Sequence, residues 1–166
     1  MDADQSLRNH LLNLLDGRGA RMPFETVIAD FPEMKINTAA PNVPYTFWHL
    51  LEHLRITQWD ILDYMRNPNY TYMRWPDDYW PPRDAVADMA MWNRSVQQFR
   101  DDLEAIRDIV RDPNIDLHAQ IPHGETGHTY LREVLLVADH NAYHIGEMGI
   151  LRQIMNAWPE SRSEGE

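Results

Sequence analysis

Apolar residues recur at three- and four-residue steps over four separate stretches of the chain, and that spacing predicts four long helices. Leu7, Leu11, Leu14 and Leu15 make the first stripe, with Asp4 or Ser6 able to cap it and Gly17 to close it. A connection rich in Pro and Asn follows from Gly19 to Pro44, and Phe24, Val27, Ile28 and Phe31 within it predict one short amphipathic helix. The second long helix starts near Tyr45 or Thr46, buries Phe47, Leu51, Leu54, Ile61 and Met65, and stops at Asn67-Pro68-Asn69. A loop dense in Tyr, Trp and Pro then runs from Tyr70 to Pro82. The clearest repeat belongs to the third long helix, where Ala85, Met89, Trp92, Val96, Phe99, Leu103, Ile106 and Val110 form a continuous stripe. Asp84 is its expected cap, and Asp112-Pro113-Asn114 its end. After a connector from Ile115 to His128, Thr129 caps a last helix expected to reach about Trp158.

Four long helices joined by connectors of very different length predict an all-α fold, a four-helix bundle with a long crossover connection. No internal repeat or domain boundary interrupts the pattern. One domain is expected over residues 1–160, followed by a polar tail at 161–166. The 166 residues suffice for a real core, and 43% hydrophobic with 25% charged residues is an ordinary globular balance. Charge narrows the partners. With 15 basic and 26 acidic residues the net charge is −11, which repels phosphate backbones, so no nucleic acid is expected. No apolar run is long enough for a bilayer and no basic amphipathic stripe suggests a membrane surface. The chain has no Cys, which excludes disulfides, thiolate ligands and a cysteine nucleophile, and is compatible with a cytoplasmic location.

The last helix carries the candidate chemistry. On a helical wheel, Leu131, Val134, Leu135, Ala138, Ala142, Ile145 and Gly149 form one stripe, and the opposite side holds Leu136, Val137, Tyr143, Leu151 and Ile154. The helix is therefore expected to be buried nearly all round. Within the second stripe His140, His144 and Glu147 stack at i, i+4 and i+7. Ionisable groups in an apolar surface are costly unless something satisfies them. Two imidazoles at i and i+4 can converge on one metal ion, and Gly146 leaves room beside them. A third ligand must come from a facing helix, where the wheel prefers His53 and turns His49 further toward solvent. Spacing alone leaves open hydrogen-bonded core histidines as well as metal ligands. A carboxylate-bridged di-iron site would need Glu-x-x-His on helices, and the only such spacing, Glu125 to His128, falls in a glycine-containing loop. His123 and His128 in that loop are weaker candidates, and His10 and His118 read as helix-flank and loop residues.

The segments Trp48-His49-Leu50-Leu51-Glu52-His53-Leu54 and His140-Asn141-Ala142-Tyr143-His144-Ile145-Gly146-Glu147 resemble the DinB/YfiT-like superfamily. That resemblance spans nearly the whole chain and implies a bundle with a long crossover, homodimers, and a metal site on His53, His140 and His144. The ion it implies is divalent, zinc or nickel first, iron or manganese after. At Glu147 the family usually has Gln, which leaves a second-shell partner, a fourth ligand or a general base as its role.

Three neutral imidazoles would leave such an ion its full charge and an open position. The pKa of water bound there is lowered to about 7, and a small thiol is activated likewise. The resemblance implies a thiol-dependent S-transferase of the bacillithiol or mycothiol type, acting on a small-molecule substrate, with Glu147 as catalytic orienter or base. A metal-dependent hydrolase and a non-catalytic bundle with a structural metal or histidine cluster are the alternatives. Tyr143 and Trp48 are expected near the site, and the loop from Trp75 to Trp80 is expected to cover a pocket mouth, a bundle end or a dimer contact.

Overall fold

A computed structural model describes residues 2–159, and among them the chain is all-α, with isolated bridges at Ala39–Thr46 and Gln120–Thr129 in place of strands. The tail expected at 161–166 lies outside the described residues. The helices are α1 (Ala3–Leu15), α2 (Phe24–Ile28), α3 (Phe47–Arg66), α4 (Met89–Arg111) and α5 (Tyr130–Ile154). Single turns of 3₁₀-helix interrupt the connectors at Glu33–Lys35 and Asp77–Tyr79. The four long helices pack cyclically: α3 lies against α4 and α5, and α1 fills the opposite corner between the same two helices. This places α3 beside α5, the pair that carries the candidate histidines.

Most of the expected stripes are the core. Trp92, Val96, Phe99, Leu103, Ile106 and Val110 on α4 are buried against Leu50, Leu51, Leu54 and Leu62 of α3 and Val134, Val137, Ala138 and Ile145 of α5 within one cluster. Thr129 caps α5 as expected, and Thr46 caps α3, which starts at Phe47; each accepts an amide hydrogen bond three residues on. Gly17 closes α1 with φ +72°, the left-handed geometry that favours glycine there.

Four expectations shift. The cap of α1 is Asp2, because Asp4 sits inside the first turn and pairs with Arg8 at 2.7 Å; Leu14 faces solvent. The start of α4 is Met89 with Asp88 as its cap, not Ala85 with Asp84. Asn37 takes the Ala87 N–H and donates to the Ala87 carbonyl, each at 2.8 Å, so that backbone is bound elsewhere before the helix begins. The end of α5 is Ile154, short of Trp158; Asn156, at φ +49°, turns the chain out of the helix. Finally, α5 is not buried all round. Leu135, Leu136, Tyr143, Ile150 and Ile154 form an exposed apolar side, because α5 sits at the bundle's edge with α3, α1 and α2 on its inner side.

The long connection between α3 and α4 is the crossover. Its residues 67–88 run back along α3 from C-terminus to N-terminus. Tyr70 and Tyr79 contact Asp60, the Tyr79 carbonyl meets His53, and the Pro82 carbonyl meets His49. As a result α4 begins beside the start of α3, and the two are parallel. The α3–α5 pair is antiparallel, with Tyr64 near His128 and Tyr45 near Glu147.

Basic side chains close the helix ends. Buried Arg8 donates to the carbonyls of Val110, Asp112 and Ile115 at 2.7–2.9 Å, covering the C-terminus of α4. Lys35, the only lysine, donates to the Met155 and Asn156 carbonyls just past α5. Both bind carbonyls at or just past a helix C-terminus, and both oppose the negative end of its dipole. Replacing Arg8 by Met keeps much of the volume and strips three carbonyls of their charged donor. Urea denaturation is expected to show a loss of about 2–3 kcal/mol. An unchanged midpoint would mean that water serves those carbonyls equally well.

Candidate metal centre

The α3–α5 contact brings His53 of α3 to His140 and His144 of α5. Their rings meet edge to face, with centroids 5.1 Å (His53–His140), 4.8 Å (His53–His144) and 4.6 Å (His140–His144) apart. Nε2 of His53 lies 3.2 Å from Nε2 of His140, and one nitrogen from each of the three rings falls within 4.8 Å of the others. His53 is 2% exposed, and His140 and His144 are half-buried. One turn beneath, a buried amide ladder fixes the register: Asn141 donates to Gln58, and Gln58 donates to the Phe99 carbonyl of α4.

Two of the three tautomers follow from their partners. Nδ1 of His53 lies 2.8 Å from the Tyr79 carbonyl, which can only accept, so Nδ1 carries the hydrogen and the Nε2 lone pair is free. Nδ1 of His144 lies 2.8 Å from Oε2 of Glu147 and donates to it. The other Glu147 oxygen accepts from the Tyr45 hydroxyl. His140 is different, since its buried Nδ1 has no partner. Burial, followed by repulsion from the neighbouring rings, pushes His140 down to about 3, and the same causes push His144 down to about 4. Burial also lowers His53 and raises Glu147.

The surroundings are aromatic. Trp80 stacks flat on His53, 3.9 Å between centroids and 4° between planes, and Tyr45 packs against Trp80 at 5.1 Å. Of the loop expected to cover a pocket, Trp80 therefore covers His53 itself, whereas Trp75 lies 6.4 Å from that ring and is largely exposed. Asp60 holds this arrangement together. Its buried carboxylate accepts from Tyr70 at 2.8 Å and from Tyr79 at 2.7 Å, and burial raises its pKa.

Several other sequence readings find their places here. Tyr143 packs edge-on against His144 at 4.7 Å but is 71% exposed. Trp48 points away, its indole N–H on the Ser95 hydroxyl at 3.4 Å. His49 is buried, contrary to the wheel, because the crossover covers it and the Pro82 carbonyl takes its Nε2 at 2.9 Å. A Cβ at Gly146 would meet nothing, so no backbone approaches there. His123 binds the Tyr64 carbonyl at 2.7 Å and His128 the Tyr64 hydroxyl at 2.8 Å; both tie the 115–128 connector to α3. The residues that pattern reading missed are Tyr45, the Tyr79 carbonyl and Asp60. Of these only Asp60 carried a signal, an acid two turns beyond His53 on the same face, followed by Ile61 and Leu62.

The donor set fits a metal ion. Nitrogens bound tetrahedrally to one zinc at about 2.0–2.1 Å lie about 3.3 Å apart, close to the 3.2 Å between the Nε2 atoms of His53 and His140. The carbonyl and carboxylate on the outer nitrogens are the partners that metal-bound histidines use. His53, His140 and His144 can thus hold a metal ion. No described helix is long and apolar enough to cross a membrane.

A four-helix bundle with a long parallel crossover and three histidines converging between its second and last long helices defines a class of candidate metal-binding bundles. The family model of the DinB superfamily matches residues 18–148, a stretch that contains the crossover and all three histidines, and the chain belongs to that superfamily. No curated protein and no solved structure matches the chain.

The depressed histidines set a pH dependence for metal-free protein. Unfolded histidines titrate near 6.5, so below that pH the unfolded chain takes up protons that the folded cluster refuses. Stability is therefore full above about pH 6.5 and falls as pH drops toward about 4. Urea melts are expected to lose at least about 1 kcal/mol by about pH 5, with a shallower decline in His140→Leu. A flat profile would contradict neutral burial of the cluster.

Proposed function

We propose that this chain binds a divalent metal ion, zinc or nickel before iron or manganese, on His53, His140 and His144, and uses it in a thiol-dependent S-transferase reaction. The observation that carries the metal reading is the pair of Nε2 atoms 3.2 Å apart, with the outer nitrogens of His53 and His144 already tied to a carbonyl and a carboxylate. The reaction class rests on the resemblance to thiol-using relatives; the absence of Cys fits a borrowed thiol and a metal-hydroxide hydrolase equally. When bound, the ion supplies Lewis acidity that lowers the pKa of a small thiol or of water.

The chain's own groups prepare for this. The Tyr79 carbonyl and the Glu147 carboxylate orient His53 and His144, holding their hydrogens on Nδ1 so that Nε2 is free. Both oxygens of Glu147 are engaged, one by His144 and one by Tyr45, which supports an orienting role over that of a free base. Burial of Trp80 against His53 keeps water from one side of the cluster. That closure favours the second reading, a bundle whose metal is structural. Consumption of thiol with an alkylating electrophile by metal-loaded protein supports the transferase; ester hydrolysis without thiol points to a hydrolase, and neither activity to the structural reading.

Elemental analysis of protein purified without a histidine tag is expected to give about one ion per chain, lost in His53→Ala and in His144→Ala. Unchanged content in either variant removes that residue from the coordination set. Glu147→Gln still offers an acceptor to His144 Nδ1 and is expected to retain metal, whereas Glu147→Ala should weaken affinity about 10–100-fold in a chelator competition. Equal affinities for wild type and the Ala variant would leave Glu147 without a part in orienting His144.

A further inference from the structure

A cleft of about 550 Å³ lies against the outer side of the aromatic wall, lined by Tyr45, His49, Trp80 and Pro44, Pro76, Pro81 and Pro82. Its size is that of a site for a small organic molecule. None of the three candidate metal ligands lines it. Two of its walls nevertheless reach the metal centre directly, since Trp80 stacks on His53 and the Tyr45 hydroxyl donates to Glu147.

We propose that this cleft binds a flat, uncharged aromatic molecule, held on the far side of Trp80 and Tyr45 from the histidines. This proposal stands apart from the transferase reading above, since the cleft needs no metal. Proline rings and the faces of Trp and Tyr are rigid and apolar, so they bind a planar molecule with little loss of side-chain freedom. Asp77 and Arg83 bring opposite charges to the same rim, which leaves no net attraction for a polyanion such as a nucleotide. The chain's net charge of −11 acts in the same direction. Among the inner walls the polar groups are already committed, the His49 ring to Thr46 and the Pro82 carbonyl and the Tyr45 hydroxyl to Glu147, which leaves the Arg83 guanidinium, opposed by Asp77, as the cleft's charged donor. Shape and apolar area therefore decide what binds. The cleft places its occupant against the two side chains that separate it from the histidines.

The test uses the full chain, both as purified and after verified metal removal, with 1-naphthol as the flat neutral probe, cyclohexanol as an apolar but non-planar one, and AMP as a flat anion. Saturation-transfer NMR is expected to show 1-naphthol binding to both forms of the protein, with cyclohexanol weaker and AMP absent. Trp80→Leu keeps apolar volume but loses the stacking face, and should weaken 1-naphthol about tenfold. A naphthyl azide photolabel supplies a readout that no variant can confound; it is expected to mark the peptide spanning residues 76–83. Preference for AMP, equal binding of cyclohexanol, or labelling outside that peptide and its neighbours Pro44 to His49 would overturn the proposal. The two readings fail separately. Protein that binds 1-naphthol but holds no metal refutes the metal centre alone, and protein that holds one ion but ignores 1-naphthol refutes the cleft alone.

Discussion

Two tyrosine hydroxyls on one buried carboxylate hold the site in place. Asp60 accepts from Tyr70 and Tyr79, and this clamp fastens the crossover along α3. From there the consequences run in sequence order: the Tyr79 carbonyl reaches His53, Trp80 lies flat on the same ring, and the Pro82 carbonyl reaches His49. A crossover is usually a topological necessity, the chain that lets two neighbouring helices run parallel. Here it also forms the outer wall of the histidine cluster. A buried carboxylate is costly unless its oxygens are satisfied, and two charge-assisted hydrogen bonds offset that cost while fixing the loop's direction.

The other side of the cluster is organised by α5. His140 and His144 point toward α3 because Asn141, between them in sequence, is bound to Gln58, and Gln58 is bound in turn to the α4 backbone. An amide ladder through three helices resists rotation of α5 about its axis, since turning the helix would leave two buried amides unsatisfied. The ladder thus sets which way the helix face points, and Glu147 then orients the His144 ring itself. Glu147, a turn further on, connects the cluster to Tyr45 at the entry of α3, so both ends of the ligand set are attached to the same helix pair.

The sequence carried the long helices and three of their stripes plainly, because a period of three to four apolar residues reports a buried helix face directly. The histidine pair on α5 was equally legible, and of the two α3 histidines it is His53, the one the wheel preferred, that lies beside the pair. What pattern reading could not see is what the crossover does. It contains no periodicity, and its contacts use backbone carbonyls, which no side-chain pattern encodes; hence Tyr79 went unread and His49 was turned toward solvent when it is covered. The start of α4 was misplaced for a related reason, since Asn37, about fifty residues away, captures the Ala87 backbone. The apolar outer side of α5 misled in the opposite sense. Hydrophobic residues there predicted burial, and the bundle does not extend that far: Ile154 is 50% exposed.

The state of His140 shows why the cluster and an ion belong together. With His53 and His144 both holding hydrogen on Nδ1, the facing Nε2 atoms of His53 and His140 can share a hydrogen only if His140 carries it. The buried Nδ1 of His140 would then be an acceptor beside the Asn141 side chain, whose own buried oxygen is an acceptor too. An unsatisfied buried polar atom costs about 1–3 kcal/mol. Protonation does not relieve it, because a second hydrogen would place a charge beside two other imidazoles in a desolvated space. An ion held by His53, His140 and His144 would face lone pairs in place of a shared hydrogen, and would let His140 carry its hydrogen on the outer nitrogen, next to the Asn141 oxygen. The same burial that makes the three rings expensive as bases makes them available as ligands at neutral pH, where no proton has to be displaced from Nε2 of His53 or His144.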